Sequence, residues 1–313
     1  MIACGIAIPQ NFTNGPADMA LVRQFVARAE QLPYDSLWVT EEVLGGAPAL
    51  DASTLLAYVA AQTTRIRIGA AVMVLARHNP IMLAKTLASL DFMSHGRLNI
   101  GVGLGQAGSE QVLGYSGERR LLRFNEALAV MKALWTQPAA SFDGVFWSFT
   151  GQRLWPPPVQ QPHPPIWFGA KSTAALSRAV AQGDGFVGSG VATTAHFSAQ
   201  VAVLHTHLAA AGRTTAAFPI SKRVYIACDR KPERPLRRLR GWFGVHYGDP
   251  ELADGAAVWG DRDACIEQLQ RIVDAGATHL LLHPVYDELT QLEILAAEIA
   301  PQLQPSRGAR AAV

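Results

Sequence analysis

The sequence predicts one closed (β/α)8 barrel. Strand-like apolar runs alternate with amphipathic helical runs eight times from one end of the chain to the other. No low-complexity linker interrupts the alternation, and 313 residues with a hydrophobic fraction of 49% can bury one large core. Because regular alternation builds a parallel sheet and an eightfold one can close on itself, a barrel is favoured over an open doubly wound sheet.

The predicted strands are short apolar runs bounded by turn residues. They cover residues 3–8, 35–40, 66–73, 97–102, 165–168, 185–188, 218–228 and 277–283. The predicted helices have apolar residues at helical spacing and cover residues 16–31, 51–62, 80–94, 119–135, 172–182, 194–211, 261–275 and 287–303. We therefore expect residues 1–313 to form a single barrel domain.

Two segments interrupt the alternation of strands and helices and are predicted to be insertions. Residues 138–164 contain the hairpin-like run SFDGVFWSF and then PPPVQQPHPP, in which each proline removes a hydrogen-bond donor. Residues 229–258 contain a basic run, read as a solvated loop and helix start, and the stretch GWFGVHYGD. Long loops in a compact barrel often cover a binding site, so we expect both at the C-terminal mouth; an ordered surface loop is the alternative.

Composition excludes several classes of function. A net charge of +2 argues against a nucleic-acid-binding surface. The three cysteines are far apart and the histidines lack ligand spacing, so neither a disulfide framework nor a metal site is expected. The chain enters a strand without a basic leader, and its longest apolar run, near residues 66–76, is too short for a bilayer. These features favour a cytoplasmic protein that binds neither nucleic acid nor a membrane.

The fourth predicted strand carries an unusual set of glycines. Gly101, Gly103 and Gly105 are spaced two apart and are followed by the amide of Gln106. Glycine lets the backbone approach a flat or phosphorylated ligand, so the strand predicts an active-site edge, although a bulge or a tight turn would use the same residues. The spacing does not match the dinucleotide-binding fingerprint, because Gln106 stands three positions after Gly103.

A second candidate site is the turn from the fifth strand into its helix. Gly169, Ala170, Lys171 and Ser172 lie where the first helical amides have no partner. These amides and the positive end of the helix dipole attract anions, so the turn predicts a phosphate site. The alternative is that Ser172 caps the helix and no ligand binds there.

The second predicted strand ends in two carboxylates, Glu41 and Glu42. Adjacent strand residues point to opposite faces, so the two cannot form the facing pair of a glycosidase. At most one of them is expected to face a pocket at the barrel mouth, and a structural or surface role is the alternative for each.

Several motifs in the same order resemble a known family. They are SLWVTEE, then RIRIGAAVMVLARHNPIMLAKTLASLDFMSHGRLNIGVGLGQ, then LLRFNEALAVMKALW, then HPPIWFGAKSTAALSRAVAQGDGFVGSG. This order resembles the bacterial-luciferase-like flavin and deazaflavin oxidoreductases, and most of all their branch that uses coenzyme F420. The resemblance is strong over about residues 1–190 and weaker in the tail VWGDRDACIEQLQRIVDAGATHLLL.

The resemblance implies a set of cofactor-binding residues. Ala71 and Val72 match a cis non-prolyl bulge in the third strand, which lies behind the ring of the cofactor. Gly103 and Gly105 match positions that let the ring and its tail approach, the turn from Gly169 to Ser172 matches the phosphate-binding turn, and Glu41 is expected at the cofactor. Relatives commonly form homodimers through helices beside strands two to four, and the alanine-rich residues 51–62 and 80–93 would permit such packing; packing on the barrel is the alternative.

The chain departs from the family at two positions. Many deazaflavin-dependent members have an acidic residue followed by histidine at the end of strand two, where this chain has Glu41 and Glu42. Others have a glutamate where Gln106 stands. Because glutamine cannot exchange a proton during turnover, Glu42 is the candidate proton-transfer residue and Gln106 an orienting one.

The resemblance therefore implies an oxidoreductase that transfers a hydride between F420 and a small organic substrate. An FMN-dependent monooxygenase of the same fold is the first alternative. A catalytically inactive cofactor-binding or accessory barrel is the second.

Overall fold

The computed structural model of the chain describes residues 2–12, 16–44, 48–105, 112–115, 117–231 and 233–306. Its strands are β1 (Ala3–Ala7), β2 (Ser36–Val39), β3 (Arg67–Val74), β4 (Leu98–Gly103), β5 (Ala140–Asp143), β6 (Ser148–Gln152), β7 (Ile166–Gly169), β8 (Gly185–Gly188), β9 (Ile220–Cys228), β10 (Val258–Gly260) and β11 (His279–Pro284). Its helices are α1 (Met19–Gln31), α2 (Ala52–Ala60), α3 (Pro80–Met93), α4 (Arg120–Thr136), α5 (Thr173–Gln182), α6 (Thr194–Ala210), α7 (Glu233–Tyr247), α8 (Leu252–Ala256), α9 (Arg262–Asp274) and α10 (Glu288–Ile294).

Eight parallel strands close into a barrel. The ring runs β1, β2, β3, β4, β7, β8, β9 and β11, and β11 pairs again with β1. The short strand β10 adds to the end of β9 outside the ring. The predicted (β/α)8 fold is confirmed, and the eight ring strands are those expected from the apolar runs.

The helix bounds follow from local caps more than from periodicity. The first helix begins at Met19 rather than near Pro16, because the Asp18 carboxylate accepts the amides of Ala20 and Leu21. The last predicted helix is interrupted: α10 ends at Ile294 and continues as a π-helical turn over Leu295–Ile299. The overall pattern of helices between ring strands is as predicted.

The apolar core has two layers. One lies between the strands and the surrounding helices and contains, for example, Phe25, Leu56 and Phe197. The other fills the inside of the barrel, where the rings of Trp38 and Trp167 lie 5.2 Å apart. The barrel is therefore a packed core rather than a pore, and a ligand can enter only at its ends.

The first insertion forms the predicted hairpin, β5 and β6, which lies against α4. The amides of Val145 and Phe146 at its tip both donate to the Glu126 carboxylate. The Arg123 guanidinium lies 4.7 Å from the centre of the Trp147 ring. The tip is thus held beside the start of α4.

The second insertion is mainly helical. Its basic run is a loop and a helix start, as predicted, because Lys231 precedes the helix and α7 begins at Glu233. The arginines of α7 surround a buried stripe of Leu239, Trp242 and Phe243. These three residues pack on Tyr225 of β9, with ring centres of Trp242 and Tyr225 4.7 Å apart. Spacing of i, i+3 and i+4 makes the segment an amphipathic helix despite its charge.

Candidate active site

A cavity of about 580 Å³ lies at the C-terminal ends of the ring strands. The ends of β3, β4, β7 and β8 form its floor, and the start of α5 forms one side. Arg223 of β9 and Tyr247 of α7 complete the wall. In barrels of this kind the C-terminal face carries the chemistry, so this cavity is the candidate active site.

The floor of the cavity is a bulge that packs on glycines. The peptide bond between Ala71 and Val72 is cis, and the register of β3 against β4 shifts at this point. A side chain at Gly103 would place its Cβ 2.6 Å from Val72 Cγ2, and one at Gly169 would place it 3.2 Å from Val72 Cγ1. Gly105 has a φ of +71°, which favours glycine. The glycines thus make room for the bulge, and the bulge and the glycines together leave a smooth surface facing the cavity.

The turn from Gly169 to Ser172 lines the same cavity. Ser172 is the N-cap of α5, and its hydroxyl accepts the amide of Ala175 at 3.3 Å. From α6, the buried Gln200 donates to the carbonyl of Ala170 at 3.1 Å and fixes the turn from behind. Arg178 of α5 also reaches the cavity, so a guanidinium and a helix N-terminus are available to an anion.

Glu41 and Glu42 lie outside the cavity lining and contact different partners. Glu41 accepts the amide of Val74 at 2.7 Å and pairs with the His78 ring. Glu41 therefore fixes the C-terminal end of β3, two residues after the bulge. Glu42 instead lies 3.5 Å from Nε2 of His246, which comes from α7.

The other predicted catalytic residue, Gln106, lies outside the described residues. Among the residues that the structure describes, no three His, Cys, Asp or Glu side chains come together as a metal site. In the same part of the chain, no helix is long and apolar enough to cross a membrane.

Sequence reasoning missed several residues of the cavity, among them Arg178, Arg223 and Tyr247. Arg223 donates to the carbonyl of Ala71 at 3.2 Å and its guanidinium lies 5.2 Å from the centre of the Tyr225 ring. The signal for Arg223 was present, because Lys222 and Arg223 are adjacent cations within an otherwise apolar strand. No local signal marks Tyr247, since only the packing of α7 on β9 brings it to the mouth.

A second cavity, of about 630 Å³, lies at the opposite, N-terminal end of the barrel. Its polar side chains pair with one another: His279 Nε2 lies 3.3 Å from Asp35 Oδ1, and Arg67 donates to Asn99 at 2.8 Å. Burial alone would raise the pKa of Asp35, but His279 and the Ser36 hydroxyl outweigh it and hold that pKa below its ordinary value. We interpret the polar side chains of the N-terminal cavity as a stabilising network, and we therefore assign the function to the C-terminal cavity.

Comparison with known proteins identifies the family. The model of the luciferase-like monooxygenases matches residues 2–279, so the chain belongs to that family. The F420-dependent glucose-6-phosphate dehydrogenase of Nocardia farcinica is 29% identical over 278 residues, which are 80% of this chain and 82% of the relative. That of Kineococcus radiotolerans is 28% identical over 316 residues, 90% of this chain and 92% of the relative. The predicted resemblance is confirmed.

Solved structures agree on the fold. An F420-dependent secondary alcohol dehydrogenase with an F420-acetone adduct has a TM-score of 0.83 at 20% identity, and the match covers 97% of this chain and 99% of that one. The FMN complex of a type II Baeyer-Villiger monooxygenase from Pseudomonas putida has a TM-score of 0.74 at 16% identity, covering 98% and 100%. The prediction that the chain is an oxidoreductase is confirmed. The sequence relatives are named as F420-dependent enzymes.

Proposed function

We propose that this chain is an F420-dependent oxidoreductase that transfers a hydride between the deazaflavin and a small organic substrate. One observation supports the proposal most strongly. The floor formed by the bulge and the glycines lines the same cavity as the N-terminus of α5, whose free amides can bind an anion. The names of the sequence relatives support F420 as the cofactor.

The described residues fit such a cofactor. A flat ring needs a floor without projecting side chains, and any Cβ at Gly103 would crowd Val72 at 2.6 Å. We assign the ring to the floor formed by Ala71, Val72, Gly103 and Gly105. The phosphate of the tail is assigned to the turn Gly169, Ala170, Lys171 and Ser172, with Arg178 beside it.

When bound there, the deazaflavin would supply the carbon that accepts or gives the hydride. The contribution of the chain is to hold the ring against the floor and to exclude water under α7. Glu41 acts indirectly in this proposal, by fixing the main chain of Val74 next to the bulge. We place Glu42 in the proton-transfer step, where it contacts His246, and Gln106 is kept as an orienting residue.

A flavin monooxygenase is the second candidate. The turn at the start of α5 would bind the phosphate of FMN as well as that of F420, and a barrel of the same fold binds FMN. An accessory barrel without turnover is the remaining alternative.

We further propose a cytoplasmic homodimer. Cys4, Cys228 and Cys265 are all free and buried, which suits a reducing compartment. The alanines of α3 do not form the dimer surface that the sequence suggested, because Ala84 and Ala88 are buried within the chain. The outward side of α3 instead exposes large apolar residues.

Binding of F420 and FMN to the purified apo-protein tests the cofactor. We expect F420 to bind at least about tenfold more tightly than FMN, a difference of about 1.4 kcal/mol. Arg178→Gln should weaken F420 binding several-fold, while Arg271→Gln, on the exposed side of α9, should leave it unchanged. Preference for FMN would move the assignment to a monooxygenase, and binding of neither would favour the accessory barrel.

A further inference from the structure

Three elements bring polar groups to one buried place at the barrel mouth. His246 of α7 lies with its Nε2 3.5 Å from Glu42 Oε2, after β2, and 2.8 Å from Asn11 Nδ2, after β1. The His246 side chain is 9% exposed, and its ring stacks on Trp242 with centres 3.9 Å apart. The imidazole is thus fixed in position and orientation.

The cluster has polar atoms without partners. Among the described residues, His246 Nδ1, His283 Nδ1 and Asn11 Oδ1 are buried and accept or donate no hydrogen bond. They belong to one group, because the Trp242 ring that stacks on His246 also lies 5.6 Å from the His283 ring. A buried polar atom without a partner is costly, so the two imidazole nitrogens, which no turn of the Asn11 amide satisfies, indicate a place where a polar molecule binds.

This place adjoins the candidate active site. His246 is followed directly by Tyr247, whose side chain lines the cavity and whose hydroxyl bonds to that of Tyr225. Tyr225 in turn lies against the His283 ring, with centres 4.8 Å apart. The second insertion therefore delivers an imidazole and the wall of the cavity on consecutive residues.

We propose that His246 exchanges a proton with the substrate through Nδ1, and that Glu42 is the positioning residue that holds Nε2. This inference rests on the proposed function and deepens it. The substrate class is a small neutral alcohol, or the carbonyl compound formed from it.

The partners of the ring decide which nitrogen exchanges the proton. The Glu42 carboxylate can only accept a hydrogen bond, so a proton on Nε2 is favoured. The Asn11 amide contacts the same nitrogen, and its oxygen, which has no other partner, accepts that proton once the amide turns. Nδ1 is then the atom left for the substrate.

The other groups that face His246 are unsuited to proton exchange near neutral pH. Burial, with Arg223 and His246 nearby, holds the pKa of His283 well below its ordinary value, so that ring stays neutral. Burial raises the pKa of Tyr225 well above its ordinary value, so its hydroxyl stays protonated. Arg223 is engaged with the Ala71 carbonyl, and Tyr247 with Tyr225.

The chemistry balances for an alcohol. Its O–H bond breaks and the proton passes to His246 Nδ1, while the adjacent C–H bond breaks and the hydride, with its electron pair, passes to oxidised F420. The C–O bond becomes a carbonyl, so the substrate loses two electrons and the cofactor gains them. The aromatic walls suit a small apolar body, and the Glu42 carboxylate disfavours an anionic substrate.

The first test needs no turnover. In the apo-protein with ¹⁵N-labelled histidine, we expect the His246 ring, assigned by its loss in His246→Gln, to carry its neutral-state proton on Nε2. In Glu42→Gln the proton should distribute over both nitrogens. A ring that carries its proton on Nδ1 in the native protein would overturn the assignment.

The second test measures F420 binding and the oxidation of 2-propanol and cyclohexanol. His246→Gln should lower kcat about 100-fold or more, the usual contribution of a general base, with F420 affinity changed less than twofold. Free imidazole should partly restore turnover by His246→Ala. Glu42→Gln should lower kcat about tenfold with little change in KM, and His205→Gln, exposed on α6, should resemble the native protein.

The outcomes separate the two proposals. If the native protein does not bind F420, the proposed function is contradicted, whatever the ¹⁵N spectra of the histidines show. F420 binding with full turnover by His246→Gln, or with oxidation of glucose 6-phosphate but of neither alcohol, contradicts only the inference made here.

Discussion

Lys222 is a charged side chain enclosed in the barrel. It is 1% exposed, and its Nζ donates to the carbonyls of Ser189 at 2.7 Å and Arg223 at 2.8 Å. Burial, with the neighbouring Arg223 adding to it, lowers the pKa of Lys222 to about 7. The folded protein therefore holds this proton less tightly than the unfolded chain does.

This lowered pKa predicts a stability that rises with pH. Between the folded pKa of about 7 and the unfolded pKa of about 10.4, the unfolded chain binds more protons, so raising the pH stabilises the native state. Relative to Lys222→Met, the native protein should gain about 3 kcal/mol between pH 7 and about pH 9.5. Urea unfolding of both proteins at the two pH values measures the difference. Lys231→Met, an exposed change, should show no such trend, and a flat difference for Lys222→Met would contradict a neutral buried amine.

At the residue scale, the sequence located the floor of the site but not its walls. The cis bond at Ala71 and Val72 and the glycines of β4 lie where the motifs placed them. Arg223, His246 and Tyr247 lie far along the chain from the floor residues, and their approach to the floor depends on how α7 packs. A motif can mark residues that act through their own backbone, whereas a side-chain cluster exists only after folding.

The junction between α1 and β3 shows how one element is held to the next. Glu30 at the end of α1 accepts the amides of Thr64 and Arg65 at 2.8 and 2.7 Å, and that of Ile66 at 3.0 Å. Burial opposes the charge, but these three amides outweigh it and lower the pKa of Glu30. The carboxylate thereby caps the entry into the strand that carries the bulge.

Removal of this carboxylate should reduce stability in a pH-dependent way. A depressed folded pKa contributes stability above the unfolded value of about 4.3, and the contribution is lost as the pH falls through the folded value. Glu30→Gln should therefore lower the thermal midpoint by a few degrees at pH 7, and the gap should be smaller at pH 3. Glu267→Gln, whose carboxylate is exposed on α9, serves as the control. An equal gap at both pH values would show that the charge of Glu30 is not responsible.

The helix α7 is the element that local reasoning described least well. Its first half belongs to the basic run of residues 230–240, in which charged residues outnumber leucines, so composition indicated a solvated loop and only the start of a helix. The stripe formed by Leu239, Trp242 and Phe243 is buried only because β9 presents Tyr225 to it. Burial of such a stripe stabilises a helix far more than propensity does, which explains the difference.

At the scale of the whole molecule, large apolar side chains are exposed on the outward side of α3. Met82, Phe92 and Met93 are 66%, 55% and 50% exposed, and Trp155 of the first insertion, 80% exposed, lies beside them through the bond from Lys85 to its carbonyl. Met82 and Met93 are eleven positions apart, which places them on one side of the helix. A group of exposed apolar side chains on one helix is typical of an interface between subunits.

The dimer proposal predicts that a charge on this patch separates the subunits. The native protein should have twice the chain mass of 33.6 kDa in light scattering, and Met82→Glu should have the mass of one chain while still binding F420. Leu252→Glu, on α8, is the matched control and should stay dimeric. A monomeric native protein would contradict the dimer, and a dimeric Met82→Glu would place the interface elsewhere.

The sequence alone determined the class of fold and the floor of the site. Eight apolar runs at regular spacing suffice for a closed barrel, because strand patterning and short connections leave few other ways to bury them. The glycines and the turn at the start of α5 were also readable from the residues, and the bulge at Ala71 and Val72 was implied by the resemblance to the family. Only the tertiary structure decided that Glu42 meets His246 and that Arg223 and Tyr247 wall the cavity. Those contacts join residues up to about 200 positions apart. They form only when the packing of α7 on β9 holds α7 over the mouth of the barrel.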